Sequence, residues 1–278
     1  MQHTTKWDKR ATALAVLALF SSSVYAEENK TNNDEQHSIL SNIGGSLSLA
    51  YNTNIYSPSD YRSVRSLSWN GSLNYGFTDN ITGYISSGGY RAYENETGDF
   101  ATDSIIGASY SNLFTFGETG KVGLRGQLTI PTSETSRDTE LYTALRVDVP
   151  ISFEMLGGNY SVSPRVRKNF YKYKTMNGRV LTEWAYSLSV GANYQFDKLT
   201  LGASALGGNG MSYKGNRSKQ FTYGASVFSS YQLADSWSAS LSASTAGFYT
   251  DAERGTLGDI DLFDEDKATY TAQLSFSF

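Results

Sequence analysis

The chain has 278 residues, 20 tyrosines, four prolines, no cysteine and two histidines, with a formal charge of −4. The acidic balance argues against nucleic acid as a partner, and the absence of cysteine removes disulfide and thiolate chemistry. No run of 18 apolar residues is present, so no transmembrane helix is expected; membrane strands escape that test because only alternate residues face lipid.

In chain order, Lys6, Lys9 and Arg10 precede the apolar stretch Ala11 to Phe20, and Val24-Tyr25-Ala26 closes the segment. This is the pattern of a secretory signal peptide over residues 1–26, cleaved after Ala26, because an apolar core of this length is too short to cross a bilayer. Its removal leaves a mature chain near −6. Residues 27–41 are polar and aperiodic, and read as a disordered periplasmic lead.

From residue 42 to 278 the apolar period is two. The first strand, Ile43 to Asn52, carries Leu47, Leu49 and Tyr51 on one face. The second, about Val64 to Phe77, carries Leu67, Trp69, Leu73, Tyr75 and Phe77 against serine and asparagine. In the third, Ile81 to Tyr90, Tyr84 and Ile85 compete for the apolar face. The fourth to seventh run Ser104 to Phe114, Val122 to Ile130, Leu141 to Phe153 and Tyr160 to Tyr173, with Tyr142 assigned to the polar face of the sixth. The eighth, Trp184 to Phe196, alternates most regularly. The Asp197-Lys198 turn leads to the ninth, Leu199 to Leu206, followed by Phe221 to Leu233, Trp237 to Phe248 and Tyr270 to Phe278. The total is twelve.

Connections after even strands are short, at 78–80, 116–120, 154–158, 197–198 and 234–236. Those after odd strands are long, at 54–62, 92–103, 131–140, 174–180, 207–220 and 250–267. Such sorting predicts an all-β fold: a single 12-stranded antiparallel transmembrane β-barrel with short periplasmic turns and longer extracellular loops. Tyr75, Phe77, Tyr194, Phe196, Tyr231, Phe276 and Phe278 gather at one end of alternate strands, as an aromatic girdle at the inner interface would. The terminal strand, Tyr270-Thr271-Ala272-Gln273-Leu274-Ser275-Phe276-Ser277-Phe278, resembles the C-terminal signature of Gram-negative outer-membrane barrel proteins. That resemblance implies an integral outer-membrane location after signal cleavage, and insertion by the barrel-assembly machinery through this strand. Outer-membrane lipid and lipopolysaccharide are then the expected surroundings.

Catalysis on such a scaffold needs a histidine beside a nucleophile or activated water. Here His3 lies in the signal and His37 in the lead, so no catalytic residue, cofactor or metal site is assigned. The last long loop is rich in Asp and Glu, but its spacing departs from an EF-hand and favours a solvated loop over a Ca²⁺ site. Lys168, Lys172, Lys174 and Arg179 cluster where the seventh strand leaves the membrane, either to grip lipopolysaccharide phosphates or as a solvated strand end.

The positive signal is in the lumen. Arg125, Arg146, Arg165 and Arg167 share the inward parity of three neighbouring strands, and like charges on adjacent strands repel. Two readings account for them. They line an anion path, or Asp148 and Glu183 act as lumen counter-charges and knit them into a stiffening network. Elsewhere the inward residues are small and polar, which leaves room for water in a twelve-stranded lumen. The inward arginines and strand count resemble the small arginine-lined oligosaccharide channels that pass acidic sugars. Asn74 to Asp79 and Leu128 to Thr132 are similar to a family of outer-membrane proteins associated with aromatic-compound degradation, which implies a transporter. The expected function is passive diffusion of small hydrophilic, anionic solutes, ahead of a non-conducting structural barrel and a transporter of hydrophobic compounds.

Overall fold

The computed structural model describes residues 42–94, 97–218, 220–250 and 268–278. The expected signal peptide, polar lead and acidic loop lie outside these residues. The strands are β1 (Ile43–Thr53), β2 (Arg65–Gly76), β3 (Ile81–Ala92), β4 (Gly98–Ala101), β5 (Ser104–Phe116) and β6 (Gly120–Ile130). After the one-turn helix α1 (Glu134–Asp138) come β7 (Leu141–Asp148), β8 (Ile151–Met155), β9 (Gly158–Tyr171), β10 (Thr175–Met176) and β11 (Arg179–Val180). The remainder are β12 (Thr182–Phe196), β13 (Leu199–Ser212), β14 (Gln220–Ala234), β15 (Trp237–Thr250) and β16 (Thr269–Ser277).

Antiparallel pairing runs β1, β2, β3, β5, β6, β7 with β8, β9, β12, β13, β14, β15, β16 and back to β1. β7 and β8 form one stave, so the ring has twelve. They are interrupted at Val149-Pro150, and the register continues across the break: Asp148 opposes Arg165 and Ile151 opposes Val162. Pro150 and Pro164 have no N–H, so each removes one ladder donor from this wall. Closure is made where Leu49 opposes Leu274, with Gly45 and Phe278 exchanging backbone hydrogen bonds of 3.0 and 3.1 Å.

Alternation sets what each residue faces. Leu47, Leu49, Leu73, Leu188, Val227 and Leu274 project outward as an apolar band, while their neighbours turn into the lumen. The third stave is settled by contact: Ile85 is 45% exposed on the outer face, and Tyr84 points inward. The short turns use left-handed backbone where sharp reversal demands it, with φ of 51° at Asp197 and 58° at Gly117.

Five expectations change in detail. β13 continues to Ser212, so the first six residues of the expected loop 207–220 are strand. Loop 92–103 contains β4, which pairs back on β3, and loop 174–180 contains the β10–β11 hairpin. Loop 131–140 contains α1, N-capped by Ser133 and tied to Asp103, whose carboxylate accepts from Ser133 N and Ser136 Oγ at 2.9 and 2.6 Å. Finally, a bulge between Leu141 and Thr143 reverses the local facing: Tyr142 is 64% exposed and Leu141 buried, the opposite of the expected polar-face tyrosine.

Candidate functional site

Two tiers of side chains cross the inner face of β6, β7 and β9. In the tier nearer the short turns, Arg125, Asp148 and Arg165 are direct cross-strand neighbours. One pleat toward the long loops, Gln127, Arg146 and Arg167 are aligned in the same way. The four arginines expected in the lumen are therefore brought together, because a two-residue period on three registered strands leaves them no other face.

Asp148 is the charge at the centre. It is 1% exposed, with Oδ1 3.2 Å from Arg146 Nε and 3.6 Å from Arg165 Nε. Neither nitrogen makes a well-directed hydrogen bond, nor does either carboxylate oxygen, so the contact is Coulombic rather than a bidentate fork. Burying one carboxylate among arginines offsets part of their mutual repulsion, and removing it would leave them uncompensated in a poorly solvated wall. The cluster keeps a positive excess, since Asp148 contacts only Arg146 and Arg165 of the four guanidinium groups. Arg167 is oriented instead by Asn169, whose Oδ1 accepts from its Nε at 2.8 Å. Asn169 is held in turn by Thr182 O and by the Tyr213 hydroxyl, which donates to Asn169 O at 2.6 Å.

Glu183 does not join the arginines. It sits at the register shift between Thr182 and Trp184, where the extra residue turns its carboxylate toward Lys168 Nζ at 3.5 Å. The parity argument that placed it in the lumen assumed an unbroken ladder.

Residues that patterning did not single out extend the upper tier. Tyr84, Gly107 and Gln127 are aligned across β3, β5 and β6. Gly107 has no side chain, so the Tyr84 ring crosses it and its hydroxyl accepts from Gln127 Nε2 at 2.5 Å. A glycine on the inward parity between a tyrosine and a glutamine was the available signal.

The opposite wall, β13 through β16 and on to β2, has a different chemistry. Its inward hydroxyls and amides bond sideways to one another: Ser46 to Ser72 at 2.8 Å, Ser204 to Ser226 at 2.7 Å, and Thr271 Oγ1 to Asn52 Oδ1 at 2.8 Å. Asn52 Nδ2 donates to Ser66 and Ser68. Apolar side chains interrupt this face, among them Leu206 and Phe228, whose ring covers Gly202.

The girdle residues lie beside the short turns or the C-terminus. Tyr75 meets Phe77 edge-on at 5.0 Å, and Phe276 lies 5.0 Å from Trp237 and 6.0 Å from Phe278. Tyr194 approaches Tyr160, their hydroxyls 2.6 Å apart, and Tyr160 stacks on Phe153. Phe196 and Tyr231 are exposed at the same end. Among the described residues no group of three or more His, Cys, Asp or Glu is arranged to hold a metal.

No family model and no curated protein matches the sequence. Solved structures match the closed, registered barrel. The fold is the one used by outer-membrane channels. The NanC porin aligns with a TM-score of 0.54 at 12% identity, over 84% of this chain and 98% of its own. An outer-membrane channel from Pseudomonas putida F1 aligns with the same score and identity, over 85% of this chain and 95% of its own. At such identity the likeness is one of fold.

Proposed function

We propose that this protein is an outer-membrane channel for passive diffusion of small hydrophilic, anionic solutes. The observation that carries the reading is the two-tier arginine wall, with one buried acid facing hydrogen-bonded hydroxyls across the lumen. Fixed positive charge in a narrow, partly dry path lowers the barrier for anions and raises it for cations. The hydroxyl wall offers donors and acceptors that replace lost water without binding any solute tightly. Arg125 and Arg167, which Asp148 does not hold, are the groups a passing anion meets. In this reading the signal peptide is cleaved after Ala26, and the assembly machinery engages β16 through its Phe276 and Phe278 face.

Planar-bilayer recording of the purified protein tests it. Ohmic conductance with an anion-biased reversal potential is expected, and Arg125→Glu should weaken that bias. A silent bilayer would instead favour the structural reading, in which Asp148 and the arginines serve only to stiffen the wall.

A further inference from the structure

The outer surface between β7 and β14 carries a feature that neither the apolar band nor the lumen requires. Barrel walls are convex, yet here a depression of about 490 Å³ opens on the membrane side. It is lined by Val149, Pro164, Tyr186, Leu188, Gly207 and Phe221. Register explains its shape. Pro164, Leu188 and Gly207 occupy one level across β9, β12 and β13, so the wall there presents a flat ring, one branched side chain and no side chain at all. The Phe221 ring leans across Gly207, where a Cβ would lie 2.7 Å from it, and forms one side of the groove.

Two cations bracket the rim toward the long loops. Lys168 is one outward level above Val166, with its ammonium 4.7 Å from the Trp184 ring centroid and 5.4 Å from that of Phe170. Its contact with Glu183 is loose, at 3.5 Å, and both side chains are half-buried. On the far side, Arg217 bridges to Met211 and donates from Nε to Asn209 Oδ1 at 3.2 Å; Asn209 is itself a lining residue of the groove. Strand spacing puts the two cations roughly 14 Å apart along the wall. Lys172, by contrast, is engaged by Glu140 at 2.9 Å.

An apolar groove opening to lipid, with Lys168 and Arg217 at its extracellular rim, has the polarity of one amphiphile in one leaflet. We infer that this face is a binding site for a phosphorylated glycolipid of the extracellular leaflet, a lipid A headgroup with one acyl chain in the groove. Its phosphates meet Lys168 and Arg217 across the rim, and the chain lies over Pro164, Leu188 and Gly207 beneath. The site is on the opposite side of the wall from the lumen, and stands or falls independently of conduction.

Native mass spectrometry of the purified barrel in neutral detergent, titrated with bisphosphorylated lipid A, tests the inference. One retained lipid per barrel is expected. Retention should fall roughly tenfold or more in Lys168→Ala/Arg217→Ala, and by a similar factor when wild type is given dephosphorylated lipid A. Gly207→Leu, which fills the groove, should lower retention with the cations intact; folded protein is verified by its heat-modifiable gel mobility. The rim variant truncates one half-buried and one exposed side chain and leaves the groove open, so it decides the matter if Gly207→Leu does not fold. No retention by wild type, unchanged retention by the rim variant, or equal retention of phosphatidylglycerol or phosphatidylethanolamine would overturn the assignment.

Discussion

The two inner walls of this barrel share backbone geometry and pairing, yet they solve opposite problems. On the hydroxyl wall polar groups bond to neutral neighbours, as Ser204 does to Ser226 and Ser46 to Ser72. Any one of these exchanges a modest bond for water when lost. On the arginine wall no group is satisfied alone. Arg146 and Arg165 depend on Asp148, while Arg167 depends on Asn169, which depends on Tyr213 from a distant loop. The contrast teaches that inward parity places a residue, whereas its chemistry is set by what the next two strands carry at that level.

The largest effect should come from the buried acid. Asp148→Ala is expected to cost about 3 to 5 kcal/mol, the range for breaking a buried ion pair from one side. Urea unfolding in lipid vesicles followed by tryptophan fluorescence reads this directly, and a loss under about 1 kcal/mol would mean that lumen water already solvates the arginines. Next, charge can be transplanted: Ser226→Arg should strengthen the anion bias of the reversal potential, and an unchanged potential would show that the hydroxyl wall lies off the ion path. Ser226→Ala removes one neutral hydrogen bond, so about 1 kcal/mol or less is expected, with selectivity unaltered. Should it match Asp148→Ala, the distinction between the walls fails.

The smallest effect lies beyond both walls, on the β3–β4 extension. Arg91 donates to Asp99 at 2.7 and 2.6 Å, and that hydrogen bonding holds the Asp99 carboxyl below the usual carboxylate range. With the folded pKa depressed, the contribution is present above the ordinary carboxylate pKa and is lost as pH falls through the lower folded value. Protection of the Gly98 and Ala101 amides, taken relative to the intrinsic exchange rate at each pH, should fall only in that acidic window. Equal protection at neutral and acid pH would remove the pair from the account.

Much of this architecture was legible because alternation is a strong signal and hairpin order leaves little freedom. The arginine tiers followed from parity alone, as did the outward faces of β2, β12 and β16. Bulges were what parity could not carry. One extra residue near Tyr142, and another at Glu183, turned each side chain to a face the uninterrupted period forbids. The glycines of 207–210 read as loop by composition. β12 is long enough to pair with them, and Gly207 makes room for Phe221, so tertiary pairing overrode local propensity. Tyr84 against Ile85 was undecidable within β3, because the deciding vacancy, Gly107, is on the next strand.

The seam between β1 and β16 bears on how the barrel is built. Every other stave pairs with its neighbour along the chain, so most of the wall can form as successive hairpins with short loops to close. The seam joins Asn52 to Thr271, 219 residues apart, and its closure entropy falls due in one step. Until that step two edges stay unpaired, each a row of backbone donors and acceptors that no bilayer interior tolerates. The seam is therefore expected to be the last contact made in folding and the first place where an unfinished barrel pairs with the wrong strand.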